Sequence, residues 1–391
     1  MTTNNSINGV LIGSNLRTAF GEVLVAQNDP VIQLQFPYNI NTTYVGTSTT
    51  GSGTVTQSNS LARISSGAAS SSSGLLLSLQ TIHYNAGQGV SAVFTAIFST
   101  GVANNNQIVG IGNSDDGFFF GYNGTSFGIL HRNVTVDTWI PQTTWNQDKM
   151  DGTGRSEMTL NKLVGNVFKI QFQWLGFGAI NFFIEDQQNG TLVLVHQIKY
   201  TNANTIPSLG NPNLSLYAQS INTTNTSNVQ VSVGSMGAFV EGVSGNLDIR
   251  NSISSTKSGL LAETNIMTIR NNSTFVSKTN RTRITVDNIS LLNQSSQEGI
   301  FRFYLNPTVG GSPSFTNINA NTSVVAYDTA GTTITGGRLL LGVHMAGNQQ
   351  QFINMEPYKL NFYPGDRLVV SIQSLGISLS ASLNLSWIER F

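Results

Sequence analysis

The sequence contains no cysteine. This absence excludes disulfide bonds, zinc fingers, thiol catalysis and cysteine-ligated iron–sulfur clusters together. Hydrophobic residues nevertheless make up 39% of the chain, which is enough to form packed cores and argues against extensive disorder. We therefore expect a folded protein that has no covalent cross-links.

Charged side chains are also scarce. Only 10% of the residues are charged, and 19 Lys and Arg balance 19 Asp and Glu to a formal net charge of +0. An ordinary globular protein has about 25% charged residues. No run of Lys or Arg supplies the clustered basic surface that nucleic-acid binding requires, so nucleic acid is not an expected partner. The abundance of Asn, Thr, Ser and Gly is instead typical of fibres, capsid parts and adhesins.

Long apolar runs are missing too. No stretch approaches the roughly 20 apolar residues of a membrane-spanning helix, so we expect no membrane insertion. The first residues, MTTNNS, lack the basic region and apolar run of a signal peptide. We therefore expect synthesis in a host cytoplasm without classical export. An adhesin-like surface without an export signal favours localisation in a virion that leaves its host by lysis.

What the sequence does contain is a long series of short strands. Val31–Phe36 and Phe168–Trp174 alternate apolar and polar residues, which is the period of a half-buried strand. Similar segments recur with Gly or Asn between them, and no segment has the period of a helix. The pattern predicts an all-β fold built from antiparallel β-sandwich or jelly-roll domains.

Two domains and an arm are expected, because 391 residues exceed what one core usually organises. The pattern loosens around residues 241–258, where we place the boundary. The predicted parts are an N-terminal arm (1–30), a concanavalin-like or jelly-roll sandwich (31–242) and a jelly-roll-like sandwich (243–391). The alternating segment at the C-terminal end, Leu379–Ile388, is expected to pair within a sheet or with another subunit.

No catalytic site emerges from the sequence. Glycoside hydrolysis needs two carboxylates at a defined separation, and on a strand they must be two residues apart to share a face. Asp115 and Asp116 are adjacent in sequence, as are Glu185 and Asp186, so on a strand the two carboxylates of each pair point to opposite faces. No nucleophile elbow accompanies any histidine, and the histidines are His83, His131, His196 and His344. We predict no enzyme activity and no cofactor.

One segment has the composition of a metal-binding loop. Asp148 and Asp151, followed by a Gly-rich turn, could offer oxygen ligands to Ca²⁺. The segment lacks the acidic or amide side chains that an EF-hand loop has at its first, third and fifth positions. We favour an Asp/Gly turn between strands, and therefore predict no metal site.

Aromatic side chains crowd into one part of the first domain and suggest contact with a glycan. Trp139 and Trp145 fall in a segment with Pro and Asn, which we interpret as a surface loop, and Tyr122 and Asn146 lie near them in sequence. Sugar rings stack on exposed aromatic rings, and amides hydrogen-bond to sugar hydroxyls. The alternating residues of Phe168–Trp174 are more simply explained as core.

Several motifs carry a resemblance to known proteins. Asp115–Gly124, Trp145–Gly154 and Gly165–Gly178 are distinctive, and Tyr363–Asp366 precedes a final strand that contains Trp387. The first three motifs together resemble a group of uncharacterised virion-associated β-sandwich proteins, concanavalin-like or jelly-roll, of large DNA viruses and tailed phages. The C-terminal ending is similar to capsid-associated β-sandwich modules. The resemblance covers roughly residues 20–240 and brings no catalytic residues with it.

The resemblance and the composition together predict a viral structural protein. It would be capsid-associated, as a minor capsid, vertex, decoration or fibre component, and would assemble as a symmetric oligomer, a homotrimer, with other virion proteins. Two alternatives stay open. One is a receptor- or glycan-binding module of a viral fibre that binds a host-surface glycan, and the other is a polysaccharide-degrading enzyme.

Overall fold

The computed structural model of the protein describes residues 28–82, 86–173, 175–242 and 249–391, together with the backbone of two short strands before residue 28. The chain divides into two compact units. The N-terminal unit comprises residues 1–78 and 84–245, and the C-terminal unit comprises residues 79–83 and 246–391. The described residues form antiparallel strands and two short 3₁₀-helices, and no helix among them is able to cross a membrane. The predicted all-β fold is confirmed.

The strands of the N-terminal unit are numbered in chain order. They are β1 (Ser6–Ile7), β2 (Val10–Leu11), β3 (Asn28–Gln35), β4 (Val45–Thr50), β5 (Thr54–Ser58), β6 (Leu61–Ser65), β7 (Ser73–Ser78), β8 (Gly89–Phe98), β9 (Asn105–Gly112), β10 (Gly117–Asn123), β11 (Ser126–Asn133), β12 (Val136–Pro141), β13 (Asn166–Gln173), β14 (Ile180–Glu185), β15 (Leu192–Ile198), β16 (Ser215–Asn222) and β17 (Gln230–Glu241). A 3₁₀-helix, Gln142–Thr144, follows β12. Most of the predicted arm lies outside the described residues, and β3 begins inside its predicted range.

Two large antiparallel sheets form this unit. One has seven strands in the order β12-β11-β10-β9-β16-β7-β4. The other has eight, in the order β15-β14-β13-β8-β17-β6-β5, with β3 also paired to β17. The ring centroids of Phe120 and Phe168 are 4.9 Å apart, and those of Phe118 and Phe172 are 5.0 Å apart. These contacts join the two sheets, so the unit is a β-sandwich with its core between them.

The alternation in the sequence accounts for this packing. In β13, Phe168, Ile170 and Phe172 are buried, and the residues between them are more exposed. Side chains on a strand point alternately to its two faces, so these three face the core as predicted. Burial of each such side chain stabilises the fold by about 1.5–3 kcal/mol. Trp174, the last member of the predicted series, lies outside the described residues.

The C-terminal unit contains fifteen further strands in the described residues. They are β18 (Ile249–Leu260), β19 (Thr264–Asn271), β20 (Thr274–Phe275), β21 (Lys278–Thr279), β22 (Arg283–Asn293), β23 (Gly299–Leu305), β24 (Thr308–Gly310), β25 (Thr316–Asn317), β26 (Val325–Asp328), β27 (Thr333–Thr335), β28 (Arg338–Met345), β29 (Gln350–Asn354), β30 (Asn361–Phe362), β31 (Arg367–Ser374) and β32 (Leu379–Arg390). A 3₁₀-helix, Glu356–Tyr358, follows β29.

These strands also form a sandwich. A five-stranded sheet has the order β18-β32-β22-β29 with β30 paired to β22, and a six-stranded sheet has the order β25-β26-β19-β31-β23-β28. One hydrophobic cluster contains Trp387 and Leu385 from the first sheet and Phe301, Val370 and Ile372 from the second. The core therefore lies between the sheets, as in the first unit.

The end of the chain is tied into this sandwich. Strand β32 pairs with β18 on one side and β22 on the other, which confirms that the final strand is held in a sheet. The two units divide between residues 245 and 246, within the range 241–258 where we place the boundary, and Ile249–Leu260 in the later part of that range is strand β18. Since β18 lies at the edge of its sheet and has many Ser and Asn, it lacks the alternation that marks an inner strand.

A buried carboxylate links β32 to two other parts of the C-terminal unit. Glu389 is 0% exposed and accepts four hydrogen bonds. The donors are Trp387 Nε1 (2.9 Å), Asn251 Nδ2 (2.8 Å), the Ser323 hydroxyl (2.6 Å) and the Val324 amide (2.8 Å). A buried charge is tolerated when its lone pairs are fully satisfied.

We predict that Glu389→Gln destabilises the C-terminal unit by about 2–4 kcal/mol, because the amide places N–H donors against donors that need an acceptor. The measurement is urea denaturation of the full chain, with Glu298→Gln as the control, since Glu298 is exposed in the same unit. Equal unfolding midpoints for the two variants would show that the carboxylate does not hold the strand.

Candidate functional site

A cavity opens at one end of the N-terminal sandwich, and we refer to it as the Tyr122 pocket. Its volume is about 290 Å³. The turn between β10 and β11, the end of β12 and the chain before β13 converge there, and they contribute Tyr122, Thr125, Ser126, Phe127, Pro141, Gln142, Thr143 and Lys162. Asn123 pairs with Ser126 across the turn, so the turn consists of Gly124 and Thr125, with Gly124 at φ 60°, and it brings the ends of the two strands together.

Two aromatic rings form the inner wall of the Tyr122 pocket. The rings of Tyr122 and Phe127 pack edge to face with centroids 5.1 Å apart. The ring centroids of Phe98 and Trp145 lie 5.3 Å and 6.3 Å from that of Phe127. Burial raises the pKa of the Tyr122 phenol above its ordinary value, so the hydroxyl stays protonated and can donate a hydrogen bond.

Polar side chains form the rim. Lys162 Nζ lies 5.5 Å from the centroid of the Phe127 ring and donates to Gln142 Oε1 at 3.1 Å. Gln142 Nε2 in turn donates to the Lys149 and Met150 carbonyls at 2.8 and 3.1 Å. Burial lowers the pKa of Lys162 from its ordinary value of 10.5. Because Lys162 has three N–H donors and uses one here, two remain for a ligand.

The rim also carries three exposed hydroxyls, those of Thr125, Ser126 and Thr143. No carboxylate is among the side chains that line the pocket. The pocket can therefore bind a ligand through aromatic contact and hydrogen bonds. It lacks the pair of carboxylates that hydrolysis of a glycosidic bond requires.

The four predicted glycan-contact residues do not share one surface. Tyr122 lines the pocket, although only 8% of it is exposed. Trp145 is 3% exposed and packs against Phe120 and Phe127. The prediction of a surface tryptophan at 145 is wrong, because the 3₁₀-helix before it turns the side chain into the core.

Asn146 is exposed, but its amide group is committed to the fold. Its Nδ2 donates to the Gln197 carbonyl at 2.8 Å, and its Oδ1 accepts the Gln197 amide at 3.0 Å. The backbone amide of Asn146 donates to His196 Nδ1 at 3.2 Å. These bonds attach the segment after the 3₁₀-helix to β15 and leave the side chain little capacity for a ligand.

Trp139 lies on the face of the seven-stranded sheet that points away from the sandwich core. It is in β12 and not in a loop, which corrects the sequence interpretation. It pairs with Leu130, and Leu130 pairs with Phe119. Because Phe118 and Phe120 face the sandwich core, Phe119 and its row face away from it. An apolar cluster of Ile108, Phe119, Leu130 and Tyr217 lies on that face, with Trp139 packed against it.

The segment proposed for Ca²⁺ is a turn. Asp148 is buried, and its two oxygens accept the amides of Met150 (2.9 Å) and Ser156 (2.8 Å). Asp151 Oδ1 accepts both the amide and the hydroxyl of Thr153, and these bonds lower its pKa. The described residues contain no group of three or more His, Cys, Asp or Glu side chains placed to hold a metal ion.

The remaining sequence candidates are dispersed. Asp116 is buried and accepts the amides of Val134, Gly210 and Asn211. His131 is buried nearby, and its Nε2 donates to the Ser208 carbonyl at 2.7 Å. His83 lies outside the described residues. The sequence analysis did not predict Lys162 or the hydroxyls of the rim as site residues. The Asn-Gly pair at 123–124 is the sequence signal that indicates a turn at the end of β10.

Two histidines make the N-terminal unit sensitive to acid. Burial lowers the pKa of His131 from its ordinary value of 6.5 more than the Ser208 carbonyl and Asp116 raise it, and burial also lowers the pKa of His196. The unfolded chain therefore binds more protons than the folded chain as the pH falls below about 6.5. The folded N-terminal unit therefore loses stability as the pH falls below about 6.5.

We predict that His131→Gln, which stays neutral, loses less stability than the wild type between pH 7.5 and pH 5.0. Denaturant unfolding at both pH values measures the difference. His344→Gln is the control, because His344 is exposed. The same pH dependence in the wild type and in His131→Gln would contradict a neutral, buried His131.

Comparison with known proteins finds similarity in structure only. No protein-family model matches the chain, and no curated protein sequence matches it. Among solved structures, the Emp47p carbohydrate recognition domain is 11% identical and aligns over 54% of this chain and 95% of its own, with a TM-score of 0.33. The exoplasmic/lumenal domain of VIP36 is 11% identical over 56% of this chain and 93% of its own, with a TM-score of 0.35.

A further similar structure is a glycosyl hydrolase family protein from Mycobacterium fortuitum. It is 8% identical over 54% of this chain and 99% of its own, with a TM-score of 0.38. Lectin-like domains and hydrolase-like proteins thus both occur among the similar structures. At these identities and TM-scores the similarity carries no argument about what this chain binds.

Proposed function

We propose that the N-terminal unit is a glycan-binding module whose Tyr122 pocket holds one sugar unit. The observation that carries this proposal is the composition of the pocket: an aromatic wall, a rim of hydroxyl, amide and ammonium groups, and no carboxylate. Its volume of about 290 Å³ is near the lower end of the range of roughly 300–1,000 Å³ for ligand pockets. A pocket of that size suits a small polar ring.

The two kinds of group in the pocket match the two kinds of surface on a sugar. The C–H face of a sugar ring packs against aromatic rings such as Tyr122 and Phe127. Its hydroxyls both donate and accept hydrogen bonds, and the free N–H groups of Lys162 and the hydroxyls of Thr125 and Ser126 offer partners for them. Since Phe98 and Trp145 pack against the Phe127 ring, little side-chain entropy of Phe127 is lost on binding.

We propose binding without hydrolysis. A glycosidase of either stereochemical class needs two carboxylates that flank the bond to be cleaved. The buried Asp148 does not line the pocket, and both of its oxygens are occupied by backbone amides. The residues that line the pocket offer an ammonium and hydroxyls in place of an acid and a base.

The assignment to a virus particle stays a prediction of the sequence analysis. We propose that the chain is a glycan-binding module of a viral fibre, because such a module would use the Tyr122 pocket to bind a host-surface glycan. The homotrimer and the contacts with other virion proteins likewise stay predictions.

We predict that Lys162→Met lowers affinity for the bound glycan about tenfold, because it removes a charged hydrogen-bond donor and keeps the aliphatic stem. The measurement is a glycan array with the wild-type chain, followed by calorimetric titration of the best ligand. Trp139→Ala is the control and is expected to bind as the wild type does, since Trp139 lies outside the pocket.

If Trp139→Ala lost binding and Lys162→Met kept it, the glycan site would lie on the outer face of the seven-stranded sheet, and the Tyr122 pocket would be the wrong site. Release of reducing ends from the best ligand by the wild-type chain would contradict binding without hydrolysis.

For the virion, we predict that the chain co-purifies with virus particles at a fixed copy number that is a multiple of three. Quantitative mass spectrometry of purified particles against the major capsid protein measures that number. A stable monomer in sedimentation that is missing from particles would contradict both the virion role and the homotrimer.

A further inference from the structure

Two arginines face each other across neighbouring strands of the C-terminal unit. Arg270 of β19 and Arg367 of β31 are direct partners in the register of that strand pair. Like charges directly opposite each other on a sheet destabilise it. Burial and the proximity of Arg367 together lower the pKa of the Arg270 guanidinium. The fold therefore carries an electrostatic cost at this position.

The two side chains border a polar cavity of about 580 Å³. Amide, hydroxyl and guanidinium groups dominate its lining, which consists of Arg270, Asn272, Ser273, Thr274, Asn317, Gly365 and Arg367. No carboxylate is among these residues. Among the described residues, neither guanidinium makes an ion pair with an acidic side chain.

The nearest acidic residue in sequence is turned to other partners. Asp366 precedes Arg367, but its Oδ1 accepts Asn306 Nδ2 at 2.7 Å and its Oδ2 accepts the Tyr363 amide at 2.8 Å. Its two oxygens thus hold the turn that leads into β31. Among the described residues, neither oxygen makes an ion pair with Arg270 or Arg367.

The geometry of Arg270 is fixed before any ligand arrives. Its guanidinium carbon lies 4.1 Å from the centroid of the Phe315 ring, and its Nε donates to Asn272 Oδ1 at 3.1 Å. Asn272 Nδ2 donates in turn to Asn317 Oδ1 at 3.1 Å. Because only Nε is used, the two terminal nitrogens of Arg270 remain as donors, and a guanidinium presents such donors as a planar fork.

We propose that this arginine pair binds a tetrahedral oxyanion, the sulfate or phosphate group of a monoester. Two guanidinium forks and the surrounding hydroxyls suit the several acceptor oxygens of such a group. A bound anion would convert the repulsion between Arg270 and Arg367 into attraction of both for the ligand. The site is independent of the Tyr122 pocket and does not rest on glycan binding there.

The test uses inorganic phosphate with the full-length chain. We expect saturable binding by calorimetry and by shifts of the Asn272 and Asn317 side-chain amide signals in NMR, at constant ionic strength set with chloride. Arg367→Gln is expected to lower the affinity tenfold or more, which corresponds to the loss of one charged hydrogen bond. Arg338→Gln is the matched control, because Arg338 is exposed in the same unit, and it is expected to bind as the wild type does.

A stability measurement separates loss of the site from loss of the fold. Without phosphate and at low salt, Arg367→Gln is expected to unfold at a denaturant midpoint equal to or above that of the wild type, since the variant removes the repulsion. No saturable binding by the wild type, or equal binding by Arg367→Gln and the wild type, would overturn the proposal. So would a lower midpoint for Arg367→Gln without phosphate, because the arginines would then be structural.

Two ester probes identify the source of the oxyanion. N-acetylglucosamine 6-sulfate represents a sulfated glycan, and glucose 6-phosphate represents a phosphorylated sugar. Tighter binding of either ester than of the inorganic ion supports a monoester ligand and names its class. Weaker binding of both esters than of the inorganic ion would overturn the monoester assignment.

Discussion

A layer of aromatic rings between the two sheets of the N-terminal unit determines where its other side chains can lie. Phe94, Phe120 and Phe168 contact one another with centroids 4.9 to 6.5 Å apart. Tyr122 and Phe127 continue this layer to the ends of their strands, where the Tyr122 pocket opens. Because interiors are close-packed, these rings cannot shift independently. The core therefore fixes the aromatic wall of the pocket, and the polar rim determines which ligand the pocket selects.

Charged side chains play two opposite roles in the C-terminal unit. Four donors surround the Glu389 carboxylate, so the charge is satisfied within the chain and serves to attach β32. Arg270 and Arg367 face each other across adjacent strands and have no acidic partner among the described residues. A satisfied charge contributes to the fold, whereas a pair of like charges beside a polar cavity contributes to recognition of an anion.

The sequence predicted what depends on local alternation. The core residues Phe168, Ile170 and Phe172 were predicted because their period is a direct consequence of strand geometry. Strand β18 was missed, since an edge strand can be polar on both faces. Trp145 was misplaced because its burial depends on one turn of 3₁₀-helix and on contact with Phe120 and Phe127.

The candidate sites depend on contacts between residues that are distant in sequence. Lys162 reaches the pocket from the segment before β13, far along the chain from Tyr122. Arg270 and Arg367 become neighbours only through the pairing of β19 with β31. A single sequence does not contain strand order, so neither group could be assembled from it.

The most direct test of the glycan-binding proposal is a crystal structure of the protein soaked with the best ligand from the array. The account predicts a sugar ring against Tyr122 and Phe127, with a sugar hydroxyl within hydrogen-bonding distance of Lys162 Nζ. A sugar seated beside Trp139 on the outer face of the seven-stranded sheet, with the Tyr122 pocket filled only by solvent, would contradict it.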